Sequence, residues 1–108
     1  MKGTDKIVVF ITTISKEEAD KISELLLNKR KAACVNIVPK MDSRFWWQGK
    51  LDSAEESLLI VKTKASALPE IVDLVKGAHS YSVPEIIALP IIGGSEAYLN
   101  WVDAEVEG

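Results

Sequence analysis

The chain twice repeats one pattern, a short apolar β-branched run followed by an amphipathic helix pattern and a second apolar run, and this order limits the folds open to it. Ile7 to Ile11 is almost wholly apolar, the composition of a strand covered on both faces. Ser15-Lys16-Glu17-Glu18 then reads as a capping box, in which a serine and the glutamate three residues later satisfy the first backbone N–H groups of a helix. Ala19, Ile22, Leu25 and Leu26 continue it at helical spacing, and Lys29-Arg30-Lys31 falls where cations complement the negative end of the helix dipole. The second strand runs from Ala32 to Val38, where Pro39 marks a bulge or a sheet edge. Ser57 to Thr63 is the third strand. The second helix shows Leu68, Ile71, Val72 and Val75 at i, i+3, i+4 and i+7, with Ser66 as N-cap, Pro69 in the first turn and Gly77 as its stop. Glu85 to Ile92 gives a fourth strand, and Gly93-Gly94-Ser95 caps a last helix through Trp101.

The resulting order is βαββαβ with a short C-terminal helix. It predicts an α+β, ferredoxin-like antiparallel sheet with helices on one face, formed as a single domain by residues 1–108. A chain of 108 residues is long enough to bury a core without a disulfide or structural metal. Between the second and third strands, Gln48-Gly49 is a two-residue turn closing a long hairpin. Phe45, Trp46 and Trp47 precede that turn, and three adjacent residues cannot share one face of a strand. A sheet with helices on one face also leaves its other face uncovered, so the pattern predicts self-association.

Composition removes several function classes. Net charge is −3, with Lys29-Arg30-Lys31 the sole basic cluster, which argues against nucleic acid. No apolar run approaches the roughly 20 residues of a membrane-spanning helix, and no signal segment opens the sequence, so a cytoplasmic location is expected. One cysteine, Cys34, cannot form an intrachain disulfide; within an apolar strand it reads as a buried, inert thiol. No nucleophile motif, phosphate loop or paired-carboxylate signature is present, and the chain reads as non-enzymatic. The chemistry concentrates in His79-Ser80-Tyr81-Ser82-Val83-Pro84-Glu85-Ile86-Ile87, which holds the sole histidine.

Five segments together resemble the CutA divalent-cation tolerance family. They are Ala32-Ala33-Cys34-Val35-Asn36-Ile37-Val38-Pro39, Trp47-Gln48-Gly49-Lys50, Leu59-Ile60-Val61-Lys62-Thr63, His79-Ser80-Tyr81-Ser82-Val83-Pro84-Glu85-Ile86 and Tyr98-Leu99-Asn100-Trp101, in the family's order across nearly the whole chain. The resemblance implies a ferredoxin-like homotrimer, PII-like in architecture, that responds to divalent metal ions and binds copper weakly. The family's usual His-Pro-Tyr-Glu run is replaced here by His79-Ser80-Tyr81-Ser82, which loses a proline and a carboxylate. Where some members carry a first-strand cysteine and a second histidine, this chain has Ile11-Thr12 and Ala78-His79, so the soft ligands suited to copper are depleted.

A closed transition-metal site needs about four His, Cys or carboxylate ligands, whereas one chain has one His and one Cys on different elements. Copper is therefore expected to be held weakly, between subunits or by carboxylates, with His79 and Glu85 as a partial site. Lys62 ends a core strand and requires a partner, for which Glu85 or Glu56 is the expected carboxylate. In the resembling family these positions line clefts between subunits, which implies an intersubunit cleft of Lys62, His79, Tyr81 and Glu85 with Trp47 of a neighbouring chain. The alternative use of that cleft is PII-like sensing or scaffolding, with a small anion or metabolite as ligand.

Overall fold

The computed structural model describes residues 3–107; residues 1–2 and 108, the ends of the expected domain, lie outside the described residues. Four strands and three helices follow in the order β1 (Lys6–Thr13), α1 (Lys16–Asn28), β2 (Cys34–Trp47), β3 (Lys50–Lys64), α2 (Leu68–Ala78), β4 (Ile86–Pro90) and α3 (Glu96–Glu105). The sheet is antiparallel in the order β2-β3-β1-β4, the α+β, ferredoxin-like arrangement expected from the sequence. On its helix-side face Val9, Ile11, Leu59 and Val61 meet Ile22 and Leu26 of α1, Ile71 and Val75 of α2 and Val102 of α3, all 0% exposed.

The opposite face has no such cover among the described residues. The register puts Phe10 between Ile60 and Ile87, and Val8 between Lys62 and Leu89. Ile87 and Leu89 are 51% and 43% exposed. β1 is thus buried on one face and half-buried on the other, against the expectation of cover on both.

The β2–β3 hairpin is longer than the sheet beneath it. Gln48 and Gly49 both have positive φ, 49° and 78°, the backbone of a type I′ turn, which glycine adopts without steric cost. At Pro39-Lys40 the pairing slips from Val38↔Leu58 to Met41↔Glu56, so two β2 residues oppose Ser57 alone. The expected bulge and edge strand both occur there. Beyond it the hairpin continues as a projecting arm whose far-side Trp46 and Leu51 are 74% and 66% exposed.

The remaining differences lie at element ends. The capping box is half formed, since Ser15 Oγ accepts from Glu18 N–H at 3.1 Å but the Glu18 carboxylate turns elsewhere. Lys29-Arg30-Lys31 lies past the end of α1, where Arg30 takes a left-handed φ of 58° and Arg30 and Lys31 N–H groups close a Schellman motif on Leu27 and Leu26. Its side chains tie helices together, Arg30 to Glu105 at 2.7 Å and Lys31 to Glu70 at 3.1 Å. Ala67, not Ser66, is the N-cap of α2 after a 3-10 turn over Ala65–Ala67, and Gly77 lies inside the helix with His79 as its C-cap. β4 is shorter than the expected Glu85 to Ile92, and α3, capped by Ser95, runs past Trp101 to Glu105.

Candidate functional site

α2 ends where His79 turns into extended backbone, and the loop to β4 folds down beside the ends of β1 and α1. The His79 side chain is fully buried. Its Nε2 donates to the Thr12 carbonyl at 2.6 Å, while Nδ1 accepts from Tyr81 N–H at 3.0 Å. A carbonyl only accepts and a backbone N–H only donates, so these partners assign the neutral Nε2–H tautomer and occupy both ring nitrogens. Glu18 completes the junction: one oxygen accepts from Ser80 N–H at 3.1 Å, and the other is buried 3.6 Å from His79 Nδ1 with no hydrogen-bond partner among the described residues.

The Tyr81 ring packs against the imidazole, 4.9 Å between centroids, and its hydroxyl donates to Glu56 Oε2 at 2.9 Å. Burial, reinforced by the Glu56 carboxylate and more weakly by Glu18, pushes the phenol up to about 12. Tyr81 is therefore a neutral donor that fixes Glu56, itself 8% exposed. The four residues Glu18, His79, Tyr81 and Glu56 link α1, the α2–β4 loop and β3.

In front of this junction a groove of about 800 Å³ opens between the arm and the loop. Phe10, Phe45, Trp47 and Tyr81 form aromatic walls; the lining carboxylates are Asp42, Asp52, Glu56 and Glu85 and, among the described residues, the one lining cation is Arg44, with Asp42 and Arg44 at the rim on the arm's other face. The bulge decides which arm residues face it. Met41, Ser43, Phe45 and Trp47 pair with Glu56, Ala54, Asp52 and Lys50, the alternate residues that continue the uncovered face of β3.

Three of the five residues expected to form a cleft, Trp47, Tyr81 and Glu85, line this groove within one chain. His79 stands behind Tyr81 and supports it. Lys62 is elsewhere: six residues from Glu56, it lies roughly 20 Å further along β3. Its ammonium donates to Asn36 Oδ1, so its partner is an amide and not the expected Glu85 or Glu56. Cys34, half-buried rather than buried, places Sγ 3.8 Å from the same oxygen, far from His79. Among the described residues no three His, Cys, Asp or Glu side chains gather as a metal site. Sequence reading missed Glu18 as part of the site, because its place in a capping box accounted for it fully.

The profile of the CutA1 divalent ion tolerance protein family matches residues 7–105. The chain is 46% identical over 96 residues to a chloroplastic CutA protein of Oryza sativa, covering 89% of this chain but 54% of that relative, so it spans about half the plant protein's length. It is 48% identical over 99 residues to the divalent-cation tolerance protein CutA of Archaeoglobus fulgidus, with 92% and 96% covered. The solved divalent cation tolerance protein of Thermus thermophilus superposes with a TM-score of 0.93 at 45% identity, over 94% of this chain and 99% of that one. With sequence and fold alike over almost its whole length, the chain belongs to the CutA family of divalent-cation tolerance proteins.

Proposed function

We propose that this CutA protein acts in the response to divalent metal ions as a non-enzymatic homotrimer, holding a cation such as copper(II) weakly at the carboxylates of its groove. The observation that carries this reading is the charge of the groove, four carboxylates against one guanidinium among the described residues, beside a histidine whose two nitrogens are both engaged. A closed copper site built on His79 and Cys34 does not fit one subunit, since the two residues lie on separate elements and His79 has no free lone pair. Glu85 and Glu56 offer hard oxygen donors, suited to a loosely held and exchangeable ion. The uncovered apolar face around Phe10, Ile60, Ile87 and Leu89 supports self-association, and the family resemblance supplies the number three.

The volume of the groove also favours a small-molecule role of the PII-like kind, but its charge selects against an anion. Among the described residues no helix is long and apolar enough to cross a membrane. We take the cytoplasm as the site of action; the rice relative is named chloroplastic.

Native mass spectrometry tests the reading. A complex of about 36 kDa, three times the 11.9 kDa chain, is expected. It should add copper(II) stoichiometrically, lose it in the Glu56→Gln/Glu85→Gln double variant and keep it in His79→Ala. Absence of metal adducts, or equal uptake by the double variant, overturns the carboxylate site, and a monomer at micromolar concentration overturns the assembly.

A further inference from the structure

We infer that Glu18 and His79 form a proton-operated latch on the α2–β4 loop. When the pair takes up one proton, His79 Nδ1 passes from accepting the Tyr81 N–H to donating to Glu18 Oε1, and the loop lets go at Tyr81. Neither residue holds the ion proposed above, so the latch is independent of the metal reading. Its cause is a pair of acceptors that face one another. His79 Nδ1 carries a single lone pair, already given to Tyr81 N–H at 3.0 Å, while Nε2–H is given to the Thr12 carbonyl. Glu18 Oε1 lies 3.6 Å from that same Nδ1, buried and with no hydrogen-bond partner among the described residues. A buried carboxylate oxygen without a donor is unfavourable, and a lone pair turned toward it adds repulsion.

One added proton resolves that conflict. On Nδ1 it becomes the donor that Oε1 lacks, and a carboxylate beside a neutral ring becomes a hydrogen-bonded ion pair with no net charge. The same proton leaves the Tyr81 N–H facing another donor, so that bond breaks. Among the described residues the single ion pair open to Glu18 is the one with His79. β1 meets the ring through the uncharged Thr12 carbonyl, the loop through the neutral Tyr81 phenol, and β3 through Glu56 beyond that phenol. The other Glu18 oxygen accepts from Ser80 N–H at 3.1 Å in either state, so the loop stays tethered at Ser80 and is released from Tyr81 onward. Solvent protons reach the pair through Glu18, whose side chain is 13% exposed while that of His79 is 0% exposed. Histidine suits such a device because its charge ordinarily changes between about pH 5 and pH 8.

The test is an NMR titration of the metal-free, assembled protein from about pH 8 to about pH 5, in which the chain's single histidine gives one set of imidazole nitrogen signals. The Nε2–H tautomer is expected at the alkaline end and the doubly protonated ring at the acid end. Over the same interval the hydrogen-exchange protection factor of the Tyr81 amide should fall at least about tenfold, while that of Ser80 holds. In Glu18→Gln the transition should move at least about one pH unit toward acid, because the charged ring loses its carboxylate. Tyr81→Phe removes the hydroxyl bond to Glu56 and keeps the backbone N–H, so the transition should persist; its loss there would trace the proton to Glu56 and overturn the latch. Three other results overturn it: a ring that stays neutral until the fold is lost, a ring that gains its proton with Tyr81 protection unchanged, and a transition at the same pH in Glu18→Gln. Native mass spectra verify the assembly of each variant, and the parent titration alone decides the first two results if Glu18→Gln fails to assemble.

Discussion

Neighbouring residues of β3 meet opposite fates. Leu59 and Val61 are 0% exposed beneath three helices, while Leu58 and Ile60, which alternate with them, face a side that none of the described elements covers. These four side chains are equally apolar. Local alternation therefore sets where each side chain points, and topology sets which side is sealed: both crossover helices of a βαββαβ chain lie on the same side of the sheet. The uncovered face is then either an interface or a liability, and the proposed assembly makes it the former.

The largest expected effect tests that contrast directly. Leu59→Ala should destabilise the protein by about 2–5 kcal/mol, because a sealed site cannot relax around the cavity. This cost should not vary with protein concentration. Ile60→Ala should be nearly as costly in the assembled state, yet its cost should shrink on dilution, as a contact made between chains disappears with the assembly. Urea unfolding at two protein concentrations separates the cases. An Ile60→Ala effect independent of concentration would remove the uncovered face from the interface.

The next effect concerns the junction behind the groove. His79→Ala should cost about 2–4 kcal/mol, since it opens a cavity and leaves the Thr12 carbonyl and Tyr81 N–H without partners. Hydrogen exchange at the Tyr81 amide is the specific readout and should accelerate well beyond that of the core strands. Unchanged protection there would mean that the loop does not depend on the imidazole.

How much of this was legible in the sequence follows from the range of each signal. The strand and helix runs, the Gln48-Gly49 turn and the Pro39 bulge are local patterns, and all appear in the structure near their expected places. What the bulge does to side-chain direction was not legible. Its one extra residue turns Phe45 and Trp47 toward the groove and Trp46 away, and no periodicity spanning Pro39 shows the flip. Whereas the family resemblance implied a cleft between subunits with Trp47 from a neighbouring chain, Tyr81, Glu85 and Trp47 line one groove within a single chain, since their segments flank one sheet edge and one arm. Lys62 does not, because a buried-lysine argument names the need for a partner without saying that Asn36 across the strand supplies it. Glu18 escaped for the converse reason: a satisfied local role concealed its contact with a loop 62 residues away.

A smaller effect belongs to the bond joining the junction to the groove. Tyr81→Phe should cost about 1–2 kcal/mol, because Glu56 keeps its buried carboxylate and loses the hydroxyl donor. The assembly should stay intact in this variant. Equal stability of the variant and the parent would show that water replaces the hydroxyl without loss.

The finest test is an alkaline titration. The chain has two tyrosines, and burial raises both phenols, Tyr81 to about 12 and Tyr98 by burial and its neighbour Cys34. A folded-state value above the unfolded one means that the neutral phenol stabilises the fold. That stabilisation is complete below pH 10 and is lost as pH rises from about 10 towards about 12, as the unfolded chain ionises first. Tyrosinate absorbance should thus lag behind free tyrosine, and stability should decline across that interval. Glu56→Gln separates the causes: it removes the adjacent negative charge and leaves the burial, so the late titration should move down without reaching the value of free tyrosine. A return all the way to that value would make Glu56, rather than burial, the dominant cause and would reverse the order assigned here.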